Sequence, residues 1–394
     1  MPRFEPFRAV RYNLDRVEMG QVTAPPYDVI SPTQRKVWAD RSPYNAVHID
    51  LVESIPDGYE QAHCLLSQWI AGGVLSVDPQ PAFYAYGMGF TDSSGTPRQT
   101  LGVVGALALS GAGDGQILPH ERTLPKAKDD RLRLMRACRA NLSPVWCLSL
   151  ARGLTDLLTD LGPPLARCTD DEGTHHRLWA ISRPALVEAI SAVVGSAPVV
   201  IADGHHRYET AVTYRDEVAG DGLVSHSGPL GADLLMTLVV ELADAQVGVA
   251  PIHRLVSDFD SDIDLLHSFG GNPVAVDPSI HLDDRYMAGV SEGPILITST
   301  GRWILDPGPE VDEPDAVVIE RRLPALGPHV IGFEHQVSTC LDAVADGTVG
   351  AALLLRPLTV GQIAAAASAG VRLPQKTTFF TPKPRTGMLF RQLE

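Results

Sequence analysis

Five consecutive residues, Asp203-Gly204-His205-His206-Arg207, bring together an acid, a flexible backbone position, two imidazoles and a guanidinium. An arginine can hold two phosphate oxygens at once. Imidazoles exchange protons near neutral pH. Glycine lets the main chain approach a ligand closely. An aspartate in such a place either caps a helix or holds a cation. Three other stretches carry comparable chemistry. His120-Glu121 lies in a charge-dense loop running from Leu118 to Arg131. Tyr27-Asp28 lies within Ala24 to Pro32, where Pro25, Pro26 and Pro32 bar helix and fix an extended path. That rigidity either routes the chain past the core or holds Tyr27 and Asp28 still at a site. The tail from Leu373 to Phe390 sets Lys376, Lys383 and Arg385 among threonines, aromatics and prolines.

Such a set suits phosphoryl transfer, which needs positioned phosphates, a neutralising cation and a base near the acceptor hydroxyl. Asp203, Gly204, Arg207, Asp28 and Lys376 are assigned to the phosphorylated cofactor, with Mg2+ on Asp203. Glu121, His120, His205 and His206 are assigned to acid–base work. The plainer alternatives are a helix cap at Asp203, surface histidines, a solvated loop at His120-Glu121 and a tail that only closes a strand pair. A transition-metal site built from His120, His205, His206 and Asp203 is the weakest alternative, because adjacent histidines rarely point at one ion.

The elements that must position these groups follow from apolar periodicity. Val199 to Ala202 is an apolar run that reads as a buried strand, and Tyr208 to Val218 reads as a helix. The five-residue cluster therefore sits where a strand gives way to a helix N-terminus, which attracts anions. Upstream, Phe4 to Tyr12 and Asn45 to Val52 read as strands, and Thr33 to Arg41 and Tyr59 to Gly72 as helices. Ala82 to Thr91 and Gln99 to Leu109 form a hairpin. A helix runs to about Arg139, a strand covers Val145 to Leu150, and Gly153 to Leu161 reads as a helix. The strand His175 to Ser182 and the helix Pro184 to Val194 follow. Gly220 to Gly231 is rich in glycine and serine and reads as a loop or lid, and Leu234 to Glu241 as a strand. Beyond Ser257 come a hairpin over Pro294 to Asp306 and a helix, strand and helix over Val337–Ala345, Gly350–Leu355 and Thr359–Ala369. The expected fold is α/β with a mixed sheet: a phosphate-binding portion over 1–255, a smaller α/β portion over 256–370, and a tail, 371–394, returning to the first.

The chain has 394 residues, 44% hydrophobic and 20% charged, which suits a globular protein of about two domains. A formal net charge of −15 argues against a nucleic-acid-binding surface. A local basic pocket for a small phosphorylated ligand is compatible with it. No stretch approaches the roughly 20 apolar residues of a membrane span, and the N-terminal residues show no secretory pattern. The five cysteines are scattered, with neither zinc spacing nor a disulfide framework. A cytoplasmic location is expected.

Several motifs resemble one family. They are Ala24-Pro25-Pro26-Tyr27-Asp28-Val29-Ile30, His120-Glu121-x-Thr123, Asp130-Arg131, Arg139-Ala140-Asn141-x-Ser143-Pro144, Ala202 to Ala211, and Pro374-Gln375-Lys376-Thr377-Thr378-Phe379-Phe380-x-Pro382-Lys383. Together they resemble the "domain of unknown function 1015" family, from residue 4 to about residue 390. More distantly, Asp-Gly-His-His-Arg after a strand is similar to the phosphate-contacting motif of the ParB/sulfiredoxin superfamily. That superfamily includes chromosome-partitioning proteins that bind CTP, sulfiredoxins that use ATP, and free-serine kinases. By that likeness Gly204 to Arg207 would hold nucleotide phosphates, and Glu121 or Asp203 would serve the acceptor hydroxyl or the metal. Sulfiredoxins need a cysteine where His205 or His206 stands, and partitioning proteins need basic DNA-binding surfaces. The resemblance thus implies a nucleotide-dependent phosphotransferase using ATP, ADP or CTP with Mg2+ on a small hydroxylated metabolite such as serine or a hydroxy acid. The alternative is a non-catalytic, nucleotide-binding regulatory protein whose Gly220–Gly231 loop orders on the nucleotide.

Overall fold

The computed structural model describes all residues except 53–56, 93–94, 112–113, 120–124, 221–230, 244–245, 260–261, 270–272, 306–312, 372, 375 and 394. Among the described residues, nine strands form one mixed sheet. Its order is Ile117–Pro119, Val199–Asp203, Val145–Ser149, Leu234–Glu241, Pro97–Ala108, Phe83–Thr91, His175–Ile181 and Ala166–Thr169, with Phe4–Glu5 also paired to Pro97–Ala108. Two pairings are parallel: Val199–Asp203 beside Ile117–Pro119, and Leu234–Glu241 beside Val145–Ser149. The hairpin Phe83–Thr91/Pro97–Ala108 forms as its alternation predicts.

The sheet is buried on both faces, which is why its central strands are apolar throughout rather than alternating. Val200 and Ala202 enter one core with Trp146, Leu148, Leu238, Met388 and Phe390. Val199 and Ile201 enter the other with Val145, Cys147, Val239, Ile190 and Tyr208. The period of two along Val199–Asp203 thus feeds two cores at once.

A second, all-antiparallel sheet of six strands follows among the described residues. Its order is Val274–Ala275, Gly301–Ile304, Ile295–Thr298, Ala351–Leu354, His253–Ser257 and Val330–Glu334. The tail leaves this sheet. Thr378–Thr381 pairs with Gly248–Pro251, Arg391–Gln392 pairs with Ala140–Asn141, and isolated bridges join Thr386 to Ala24 and Phe390 to Val10. No helix among the described residues is long and apolar enough to cross a membrane.

Three local readings are corrected. Asn45 to Val52 is not a strand: a short helix spans Val47–Asp50, started by the Asn45 side chain accepting from Val47 N–H at 3.0 Å. A short apolar run serves a buried turn of helix as well as a strand. Gly153 to Leu161 holds only a 3-10 turn, Asp156–Leu158, because the Glu241 carboxylate accepts from Gly153 and Thr155 N–H at 3.1 and 3.0 Å. Phe4 to Tyr12 is two short strands, Phe4–Glu5 and Val10–Tyr12, with Pro6 between them unable to donate to a ladder.

Candidate functional site

The strand Val199–Asp203 ends at Gly204, whose φ of +94° turns the chain directly into the helix His205–Gly220. Only glycine adopts such a φ at little cost. The first helical bond runs from Tyr208 N–H to Gly204 C=O at 2.9 Å, so the amides of the first turn precede the helical ladder. A Cβ on Gly204 would lie 3.0 Å from Nε and Nη2 of Arg207. The glycine therefore makes room for this chain's own guanidinium.

That is where Arg207 departs from expectation. Instead of reaching outward for phosphate, its side chain folds back beneath the turn and is buried. It donates to Asp203 Oδ2 at 2.5 Å, to the Pro144 carbonyl at 2.6 Å and to Ser143 Oγ at 3.1 Å. Its Nε is buried with no hydrogen-bond partner among the described residues. Arg207 is a strut that ties the turn to the loop before Val145–Ser149.

The other oxygen of Asp203 is taken by a tail lysine that the sequence reading named but did not assign to the site. Lys383 Nζ lies 2.7 Å from Asp203 Oδ1 and 2.7 Å from Asp28 Oδ2. The lysine reaches this place because the tail runs beside the proline-rich loop: Ala24 and Thr386 exchange backbone hydrogen bonds of 3.1 and 2.9 Å. Arg385 fastens the tail further, donating to Thr23 Oγ1 at 3.1 Å and to the Thr23 carbonyl at 2.9 Å. Pro25–Asp28 and Asp203–Arg207, far apart in sequence, thus meet at one ammonium. Lys376 lies elsewhere: its ammonium sits 4.8 Å from the Phe333 ring centroid, beside the second sheet. Both lysines were visible in the tail. The proline on either side of Lys383 was the available signal that its position is fixed.

Electrostatics bind the cluster together. Burial would raise the Asp203 carboxyl, but Lys383 and Arg207 outweigh it and hold the group at about 2, below its ordinary 3.8. Lys383 is itself shifted upward, since its two carboxylates overcome the cost of burial. Behind this trio the Arg131 guanidinium lies 4.0 Å over the Tyr27 ring and 3.4 Å from buried Asp50. Burial pushes the Tyr27 phenol up to about 12, against the pull of Arg207 and Arg131. Burial also raises Asp50, which accepts from Thr386 Oγ1 at 3.2 Å.

His205 is buried and His206 half-buried in the first turn. Burial lowers the His206 imidazole below its ordinary 6.5, with Glu209 and Asp28 opposing and Lys128 and Arg207 adding to the shift. The shift favours the neutral imidazole. The helix Pro125–Cys138 lies along His205–Gly220 through Lys128–Glu209 at 2.9 Å and Arg136–Glu217 at 2.6 Å. His120, Glu121 and most of the Gly220–Gly231 loop lie outside the described residues. The strand preceding His120 ends with Pro119 opposite Ile201.

The donor set does not suit Mg2+ on Asp203. Both carboxylate oxygens already carry cations, and among the described residues no group of three or more His, Cys, Asp and Glu gathers as metal ligands. A hard divalent cation takes about six oxygen ligands.

A family model described as "Protein of unknown function (DUF1015)" matches residues 4–271. No functionally curated protein matches the chain. Among solved structures, a free serine kinase mutant in complex with ADP aligns with a TM-score of 0.40 and 12% identity, covering 68% of this chain and 84% of that one. SbnI with a C-terminal truncation, from Staphylococcus aureus, aligns at 0.40 and 12%, covering 72% and 84%. A conserved hypothetical protein from Pyrococcus furiosus aligns at 0.37 and 12%, covering 68% and 87%.

Proposed function

The chain belongs to the DUF1015 family of proteins of unknown function, and on that premise we propose that it is a nucleotide-dependent phosphotransferase acting on a small hydroxylated metabolite such as serine or a hydroxy acid. The observation that carries this reading is the Lys383 ammonium, held 2.7 Å from Asp28 and from Asp203 at the mouth of the helix His205–Gly220. A helix N-terminus and a fixed ammonium at one place form an anion site inside an acidic protein.

In this reading the phosphates of ATP, ADP or CTP lie against the amides of residues 204–206 and the Lys383 ammonium. Arg207 keeps those amides in place rather than touching the nucleotide. The acceptor hydroxyl oxygen bonds to the terminal phosphorus as the bridging P–O bond breaks, and the nucleoside diphosphate (from ATP or CTP) or monophosphate (from ADP) leaves with that electron pair. The hydroxyl proton passes to His206, whose lowered pKa leaves it neutral and able to accept. His205, buried beside Asp203, is the second imidazole proposed for the same acid–base work. Glu121 and His120, outside the described residues, are proposed for the same acid–base work on their sequence alone.

A coupled assay of nucleotide turnover against a panel of small hydroxy compounds tests this. Transfer by the parent should fall roughly 10²–10⁴-fold in His206→Gln, with nucleotide affinity nearly intact. The acid limb of its pH profile should lie below the ordinary histidine value of 6.5. Binding without transfer to any acceptor would favour a non-catalytic, nucleotide-binding regulatory protein. That second reading draws on the same cradle, which is fully ion-paired around Lys383 and needs no base to bind phosphate.

A further inference from the structure

Asp28 and Asp203 face each other across a single point, and a lysine nitrogen occupies it. Two converging carboxylates beside a phosphate cradle are the arrangement in which a divalent ion is ordinarily sought. Here the charges already balance: two carboxylates face one ammonium and one guanidinium. We infer that Lys383 is a built-in cation, holding between Asp28 and Asp203 the position a divalent metal would otherwise take and presenting an ammonium in its place. Only the last step, presentation to a phosphoryl group, rests on the phosphotransfer reading.

The geometry supports a fixed position for Lys383. Its side chain is 12% exposed, as is that of Asp203, so both charges sit largely out of water. Separating them there leaves Asp203 with Arg207 alone and Lys383 with only the more exposed Asp28. The backbone on either side is restrained by Pro382 and Pro384, by the strand Thr378–Thr381 and by the Thr386–Ala24 bridge. The ammonium also faces the Phe379 ring, 5.5 Å from its centroid. A metal ion entering at Asp203 would have to displace a lysine held by two carboxylates while Arg207 keeps the second Asp203 oxygen.

Mn2+ alone is the probe, titrated without nucleotide and read by electron paramagnetic resonance and thermal unfolding. The parent should bind no Mn2+ dependent on Asp28, and its melting temperature should not move. Lys383→Met, which keeps the apolar stem, should gain one bound Mn2+ and be stabilised by it. The gain should vanish when Asp28→Asn is added. Lys383→Arg, which keeps the charge, should behave as the parent does. A Mn2+ ion bound by the parent and lost in Asp28→Asn overturns the inference. So does a folded Lys383→Met that binds none. If Lys383→Met does not fold, the parent titration decides alone. Absence of phosphoryl transfer alongside the expected Mn2+ results would remove the phosphotransfer reading and leave this one standing.

Discussion

Arg207 and Asp203 illustrate how residue type and residue role separate. An exposed arginine after a glycine-turn suits phosphate, yet this guanidinium is buried against three oxygen acceptors. Arg207→Ala would strand Asp203 with half its partners and leave the Pro144 carbonyl and Ser143 Oγ unpaired. Breaking a buried pair in this way costs roughly 3–5 kcal/mol, so thermal unfolding of Arg207→Ala should show a severe loss of stability. Unchanged stability would refute the strut role. Asp203 predicts a pH dependence. Its folded pKa, about 2, lies below the ordinary 3.8, so its contribution is complete above that ordinary value and is lost as the pH falls toward 2. A carboxyl held that far below its ordinary value contributes on the order of 2 kcal/mol. Denaturant unfolding between pH 5 and pH 2, compared with Asp203→Asn, should show the parent losing that increment and the variant lacking it. An equal acid loss in both would contradict the assignment. The Asp203–Arg207 cluster was legible because five polar residues stood at a strand–helix junction. Lys383 was not selected over Lys376, because local sequence does not say which of two tail lysines the proline-rich loop will meet.

Elements were legible where the apolar pattern alone decides the backbone. The run Val199–Asp203, the hairpin Phe83–Thr91/Pro97–Ala108 and the helix Pro184–Val194 lie within a residue or two of expectation. Val47–Asp50 and Asp156–Leu158 were misread because side-chain acceptors, Asn45 and Glu241, decide their backbone, and one of them comes from a distant strand. The tail is the element on which the site most depends. Phe390 is buried at 1% exposure, edge-on to Tyr12 at 5.8 Å, and its neighbours Met388 and Leu389 join the same core. Phe390→Ala should cost about 3–5 kcal/mol and loosen the segment that carries Lys383. Hydrogen exchange should show faster exchange at Phe390 N–H, bonded to Val10, and at Thr386 N–H, bonded to Ala24. Protection equal to the parent's would mean that the strand Thr378–Thr381 anchors the tail without Phe390.

For the whole molecule, the mixed sheet brings a proline-rich N-terminal loop, a central strand–helix turn and a C-terminal tail to one ammonium. The chain order hides this convergence, because each stretch is separated from the next by a complete set of strands. The net charge of −15 sets a field that opposes a polyanion. Because the carboxylates and cations of the cluster balance, the attraction must come from the helix N-terminus and the placement of the ammonium. The most direct test of a phosphate site at Lys383 is isothermal titration of ATP, ADP and CTP against the parent and Lys383→Ala at fixed ionic strength, both checked for folding. The parent should bind at least one of the three, and Lys383→Ala should bind it tenfold or more weakly, about 1.4 kcal/mol. A parent that binds none of them, or a folded Lys383→Ala that binds as the parent does, would contradict it.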